Sequence, residues 1–245
     1  MTKVINFAHR GSSAICPENT MAAFHKALEQ GATGIETDVQ MSRDGRLVLI
    51  HDEMLNRTTS GKGLVKDHSW SEIGQLDAGS WFHEDFQGEK VPSLEQLLDF
   101  TRDKGTIVNI ELKNGVVLYP GLEERVIECV RQYGMEERVI ISSFNHYALV
   151  KCKALAPEIS TGILYMEGLY EVWDYAQTVG ADALHAFKYA VLPEWVEQAR
   201  SKGLVYHPFT VNDAKEMMHL MQAGVAGIIT DFPDVLHGLL HGEGG

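Results

Sequence analysis

Three features are scarce in this 245-residue chain, and each scarcity removes a class of protein. Cysteine is one: only Cys16, Cys129 and Cys152 are present, odd in number and far apart. That spacing excludes a disulfide framework and any CxxC metal or redox motif, and it predicts three free thiols in a reducing compartment. Basic residues are a second: 21 Lys and Arg stand against 34 Asp and Glu, a net charge of −13 with His neutral. Such an acidic balance argues against general nucleic-acid binding, which neutralises phosphates with a basic surface. A small phosphorylated ligand is still admissible, because one site can be locally cationic or hold a metal inside an acidic shell. Long apolar runs are the third. No stretch reaches the roughly 18 to 20 apolar residues of a membrane span. Met1-Thr2-Lys3 runs through Val4-Ile5-Asn6-Phe7-Ala8 straight into His9-Arg10-Gly11, too short an apolar stretch for a signal peptide. The expectation is a cytoplasmic protein with no stable membrane insertion; the sequence does not specify an oligomeric state.

What is present is ordinary globular composition, 44% hydrophobic and 22% charged, with a strong alternation of elements. Strand-like runs fall at 4–8, 34–40, 47–50, 107–112, 139–142, 161–165, 183–186, 204–207 and 227–230. Between most of them lie patterns with apolar residues at i, i+3, i+4 and i+7. Met21, Ala22, Phe24 and Leu28 form one such helix, with Asn19 read as its N-cap and Gly31 as its end. Leu94, Leu97, Leu98 and Phe100 form another, opened by Ser93 with Gln96 three residues on, as in a capping box. Trp195, Val196 and Ala199 form a third between Pro193 and Gly203. Repeated βα units imply a parallel sheet covered by helices. Nine runs are one too many for an eight-stranded barrel, but Asp44-Gly45 between the second and third is a hairpin signal. With that pair antiparallel, the expected fold is α/β, a (β/α)8 TIM barrel of residues 1–51 and 91–241. Residues 52–90 are polar and glycine-rich, carry Trp70, Trp81, Phe82 and Phe86 without helical period, and read as a small inserted cap subdomain after the second strand. Residues 242–245 read as a disordered tail.

Polar residues gather at the carboxyl ends of the first strands. His9-Arg10 ends the first, Glu36 and Asp38 lie in the second, His51 ends the hairpin strand, and Glu111 and Lys113 lie in the strand after the insertion. Side chains alternate along a strand, so Glu36 shares a face with Asp38 and Glu111 with Lys113. An isolated E-x-D is more often two solvated carboxylates, and E-x-K a surface ion pair. Their coincidence at one barrel end shifts the balance toward a site. Three converging carboxylates repel one another unless a cation lies between them, and oxygen ligands suit one hard divalent ion, Mg²⁺ or Ca²⁺. Arg10 and Lys113 offer positive charge to an anion, and His9 and His51 titrate near neutrality. The set describes metal-assisted phosphodiester cleavage. No GxSxG elbow, Walker loop or GxGxxG turn competes with it.

His9-Arg10-Gly11, Pro17-Glu18-Asn19-Thr20, Glu36-Thr37-Asp38-Val39, Ile50-His51-Asp52, Asn56-Arg57-Thr58-Thr59 and Glu111-Leu112-Lys113 resemble the motifs of the glycerophosphodiester phosphodiesterase family. So do Leu76-Asp77-Ala78-Gly79-Ser80-Trp81-Phe82, Phe209-Thr210-Val211-Asn212 and Ile229-Thr230-Asp231-Phe232-Pro233, in the same order along nearly the whole chain. The resemblance implies hydrolysis of glycerophosphodiesters, such as glycerophosphocholine or glycerophosphoethanolamine, to glycerol 3-phosphate and an alcohol. It implies Glu36, Asp38 and Glu111 as metal ligands, His9 and His51 as the acid/base pair, and Arg10 and Lys113 on the phosphate. It further implies a cyclic phosphate formed by the substrate's own glycerol hydroxyl. Phe209 stands where the family commonly has Trp, keeping an aromatic wall at the substrate but losing an N–H donor. His185 is a further candidate at the substrate. An alternative substrate, a lysophospholipid or phosphoinositol head group, would call for an apolar rim around the mouth.

Overall fold

The computed structural model describes residues 4–242. The strands are β1 (Ile5–His9), β2 (Gly34–Met41), β3 (Leu47–Leu49), β4 (Ile107–Leu112), β5 (Val139–Ser143), β6 (Ser160–Tyr165), β7 (Ala183–Ala186), β8 (Val205–Tyr206) and β9 (Gly227–Thr230). Eight of them run parallel in the order β8-β7-β6-β5-β4-β2-β1-β9. The ends of that order meet: the Ala226 N–H donates to Tyr206 O and the Ile229 N–H to Pro208 O, each at 3.0 Å. The sheet is therefore a barrel. β3 stands outside the ring, antiparallel to β2 with Val39 opposite Leu49, as the Asp44-Gly45 turn requires; Gly45 has φ +84°.

Helices α1 (Met21–Glu29), α3 (Leu94–Thr101), α4 (Leu122–Gln132), α5 (His146–Leu155), α6 (Val172–Val179), α7 (Pro193–Ser201), α8 (Ala214–Ala223) and α9 (Pro233–His241) follow strands; α2 (Trp70–Ile73) is a single turn within residues 52–90. Strand alternation sorts the side chains. Ile35, Val39, Val108, Ile110, Leu112, Ile141 and Ile163 join the large cluster shared with the helices. The intervening residues face the barrel interior, where Phe7, Ile140 and Ile229 form a small apolar plug under the polar groups. Burying an aliphatic side chain of this size stabilises the fold by about 1.5–3 kcal/mol, so the helix-facing shell dominates.

Three local departures from sequence expectation have physical causes. The N-cap of α1 is Thr20, whose Oγ1 accepts from the Ala23 N–H at 3.2 Å, and Asn19 takes a left-handed φ of 54° instead. β8 is cut to two residues because Pro208 has no N–H to extend the ladder, although the His207 and Phe209 N–H groups still reach Leu184 O and Ala186 O. Gly242 is the left-handed C-cap of α9, and residues 243–245 of the expected tail lie outside the described residues. Residues 52–90 hold α2 and two 3₁₀ turns, and Leu55, Val65, Ile73 and Ala78 pack with Val48, Ile50 and Val91 in a separate small cluster. Asp77 ties this segment by accepting from the Gly79, Ser80 and Gly88 N–H groups. Gly79 is obligatory, since a Cβ there would stand 1.9 Å from Phe86 O.

Candidate active site

Parallel register sets the site. His9 pairs beside Glu36 and Asp38 beside Glu111, all at the carboxyl ends of β1, β2 and β4. One oxygen each from Glu36, Asp38 and Glu111 falls within 4.8 Å of the others. Two cations are threaded among them. Arg10 leaves β1 with φ 55°, donates its N–H to Glu36 Oε2 at 3.0 Å, and lays its guanidinium against Asp38 (3.3 Å) and Glu18 (2.8 Å). Lys113 Nζ lies 2.9 Å from Glu111 Oε1 and 3.8 Å from Asp38 Oδ1.

Burial makes this cluster electrostatically tense. Glu36 is pushed well above the usual carboxylate range by desolvation, then by the charges of Asp38 and Glu111. Glu111 is pushed up to about 7 by desolvation and by Asp38, against the pull of Lys113. Desolvation acts on Asp38 too, but Arg10, His51 and Lys113 outweigh it and hold that carboxyl low. Asp38 Oδ1 is buried with no hydrogen-bond partner. Two carboxyls that would rather take protons, beside an unpartnered carboxylate oxygen, fit a hard cation bound by oxygen donors. The cluster can hold a metal ion.

Each imidazole is held at Nδ1 by an aspartate. His9 Nδ1 lies 2.6 Å from Asp231 Oδ1, and Asp231 also accepts from Asn212 Nδ2 at 2.6 Å and Ser13 Oγ at 2.9 Å. His9 Nε2 then lies 4.0 Å from Glu36 Oε2, over the acidic cluster. His51 Nδ1 lies 2.8 Å from Asp52 Oδ1, and Arg57 clamps Asp52 through Nε and Nη2 while its Nη1 reaches Glu18. Burial lowers the proton affinity of His51, with Asp38 opposing. Phe209 sits half-buried on Phe7, Ile140 and Ile229 at the barrel mouth. His185 does not reach that surface: it is fully buried, leans on Gly162, and has its Nε2 3.1 Å from His207 Nδ1. It offers no accessible atom to a ligand.

Three neighbours of the site lie in motifs read from the sequence, which assigned none of them a place in the site. Asn19, expected to cap a helix, donates Nδ2 to Asp38 Oδ2 at 2.8 Å and accepts from Thr37 Oγ1 at 2.7 Å. Glu18 links Arg10 to Arg57. Asp231 closes the His9 pair. The available signal was their membership of those two motifs together with their position, Asp231 directly after the last barrel strand and Glu18-Asn19 in the loop between β1 and α1.

A model of the glycerophosphoryl diester phosphodiesterase family matches residues 9–235. The chain belongs to that family. Among the relatives of this phosphodiesterase, the glycerophosphodiester phosphodiesterase of Caldanaerobacter subterraneus subsp. tengcongensis is 49% identical over 99% of this chain and 100% of its own length. That of Bacillus altitudinis is 44% identical over 96% of each chain. The solved structure of an Oleispira antarctica phosphodiesterase in complex with the product sn-glycerol-3-phosphate is 33% identical, covers 96% of both chains and superposes with a TM-score of 0.86.

Proposed function

We propose that this family member hydrolyses glycerophosphodiesters, such as glycerophosphocholine or glycerophosphoethanolamine, to glycerol 3-phosphate and the free alcohol. The observation that carries the reading is the convergence of Glu36, Asp38 and Glu111 within 4.8 Å, flanked by two aspartate-held histidines. The product named for the Oleispira antarctica relative supports the substrate class. Glu36, Asp38 and Glu111 would hold one divalent cation, Mg²⁺ or Ca²⁺. Such an ion supplies neutralisation of a phosphoryl oxygen and lowers the proton affinity of a hydroxyl beside it.

The side chains do the rest. Arg10 and Lys113 orient the phosphate, Arg through a planar fork suited to two oxygens. Phe209 forms the wall for the glycerol. One imidazole of the pair His9 and His51 takes the proton from the glycerol C2 hydroxyl as its oxygen bonds to phosphorus. The other gives a proton to the departing alcohol oxygen. Water then opens the cyclic phosphate with the proton roles reversed. No cysteine serves as nucleophile in this reading, since Cys16, Cys129 and Cys152 are buried. Residues 52–90 act as a cap, with Arg57 as its contact to Glu18. The three free thiols support a reducing, cytoplasmic setting; no helix among the described residues is long and apolar enough to cross a membrane.

Purified protein with Mg²⁺ or Ca²⁺ is expected to release glycerol 3-phosphate from glycerophosphocholine and to stop on chelation. Absence of hydrolysis of every glycerophosphodiester with both ions would overturn the proposal.

A further inference from the structure

The two histidines are tied to the barrel by different means. His9 ends β1 and is held by Asp231, which directly follows β9, so barrel strands fix both partners. His51 is held by Asp52, its neighbour in sequence, and that contact fixes the imidazole only to its own loop. The ring is 32% exposed, so packing restrains it little. The loop has a separate anchor in Gln40. This residue lies on β2, two positions beyond Asp38 and on the same face, and it is fully buried. Its Nε2 donates to Ile50 O at 3.0 Å, His51 O at 3.1 Å and Asp52 O at 2.6 Å. Carbonyl oxygens only accept, so three of them around one atom identify it as the amide nitrogen. No other N–H or O–H among the described residues reaches these three carbonyls. The amide oxygen is held as well. Tyr119 Oη donates to Gln40 Oε1 at 2.7 Å, and burial pushes the Tyr119 phenol up, which keeps it a donor. Tyr119 belongs to the loop that Lys113 opens between β4 and α4.

We propose that Gln40 is the positioning residue for His51: its amide sets the distance and angle of that imidazole to Glu36, Asp38 and Glu111, and the Tyr119 hydroxyl sets the amide. The inference rests on the acid/base reading of His51. Fully buried, Gln40 offers a substrate no atom and acts through the backbone of residues 50–52. The same strand grips that backbone a second time, since the Ile50 N–H donates to Asp38 O at 3.1 Å. β2 therefore carries two of the three carboxylates and also fixes the loop of one proton carrier, so the gap between them is set within a few residues of one strand. Lys113 is referred to the same strand, its N–H donating to Val39 O at 3.1 Å. Through Tyr119, one glutamine side chain links the loop of the proton carrier to the loop that begins at the phosphate-binding lysine.

The test measures kcat and KM for glycerophosphocholine in wild type, Gln40→Met, His51→Ala and Arg10→Lys, and in Gln40→Met combined with each of the last two. Methionine keeps the length of glutamine and removes both donors. A catalytic group displaced by about 1 Å loses about 10²-fold in rate, so Gln40→Met is expected to lower kcat by about 10- to 10²-fold, with KM and calorimetric Mg²⁺ affinity each within about threefold. A residue that acts through His51 has nothing to act through once the imidazole is gone. In His51→Ala the added loss is therefore expected to stay under about twofold, whereas in Arg10→Lys the full factor appears. A merely structural role would show in both backgrounds. The same further loss in both backgrounds or in neither, a change confined to KM, Mg²⁺ affinity falling in step with kcat, or wild-type kcat in Gln40→Met would overturn the inference. If Gln40→Met does not fold, Tyr119→Phe, which removes one hydroxyl from the same chain of bonds, decides by the same comparison, with an expected loss of about three- to tenfold. Wild-type kcat in Gln40→Met beside an impaired His51→Ala overturns this inference alone, whereas wild-type kcat in His51→Ala removes the acid/base reading with it.

Discussion

Asp231 Oδ1 lies 2.6 Å from His9 Nδ1, and neutral groups, the Asn212 amide and the Ser13 hydroxyl, hold the aspartate in place. The carboxylate fixes the imidazole with Nδ1 occupied and Nε2 toward Glu36, the orientation a proton carrier over the phosphate needs. Asp231→Asn preserves shape but removes the charge that stabilises the imidazolium. A fall in kcat of about 10²–10⁴ with KM within threefold is expected from steady-state kinetics; wild-type kcat in this variant would refute the role.

His9→Ala and His51→Ala are expected to lose about 10²–10⁴ in turnover while calorimetric metal affinity stays near wild type. Asp38→Ala should do the reverse first, weakening cation binding at least tenfold. Equal loss of metal binding in all three would mean that the histidines are ligands.

Cation binding should expel protons. Glu111 sits near 7 and Glu36 well above the carboxylate range, both chiefly through desolvation. Their folded values exceed the unfolded ones of roughly 4.3, so their contribution to stability is present below that value and is lost as pH rises through 7. A bound cation relieves that strain. The rise in Tm on adding Mg²⁺ or Ca²⁺ is therefore expected to be larger at pH 8 than at pH 6. Calorimetry at pH 6.5 in two buffers should register about one proton released or more. An equal Tm increment at both pH values contradicts the cluster's assignment.

The interior pair has the opposite sign. Burial lowers both His185 and His207, the latter to about 4, so each stays neutral when folded. The unfolded imidazoles protonate near 6.5, so stability is lost as pH falls from there toward 4, by about 2 kcal/mol for His207 at pH 5. Urea midpoints at saturating cation should track this, and His207→Gln, which cannot titrate, should flatten the slope by about half. An unchanged slope would place the acid sensitivity elsewhere.

Asn19→Gly tests the turn beneath the cluster. Glycine tolerates the φ of 54° but removes both hydrogen bonds, leaving Asp38 Oδ2 and Thr37 Oγ1 short of a partner. Destabilisation of about 1–3 kcal/mol in chemical denaturation is expected, with weaker cation binding. Neither effect appearing would make Asn19 a passive turn residue.

Much of the site was legible because its logic is local. Glu36 and Asp38, or Glu111 and Lys113, share a face by strand alternation, and Asp44-Gly45 announced the hairpin that reconciled nine strands with eight staves. What was not legible depends on closure or on single-residue boundaries. Asp231 reaches His9 only because β9 pairs with β1. His185 meets His207 only across the β7–β8 seam, where the strand pattern alone left it a candidate at the mouth. Asn19 and Thr20 are both good caps, and only the backbone turn at Asn19, which aims its amide at Asp38, decided between them.

The hydrogen bond between His9 and Asp231 spans 222 positions of sequence. During synthesis the N-terminal half can emerge, and even gather its carboxylates, long before that partner leaves the ribosome. On the proposed roles, a chain whose final stave has not docked leaves His9 without its aspartate, so turnover is expected to lag behind assembly of the carboxylate cluster.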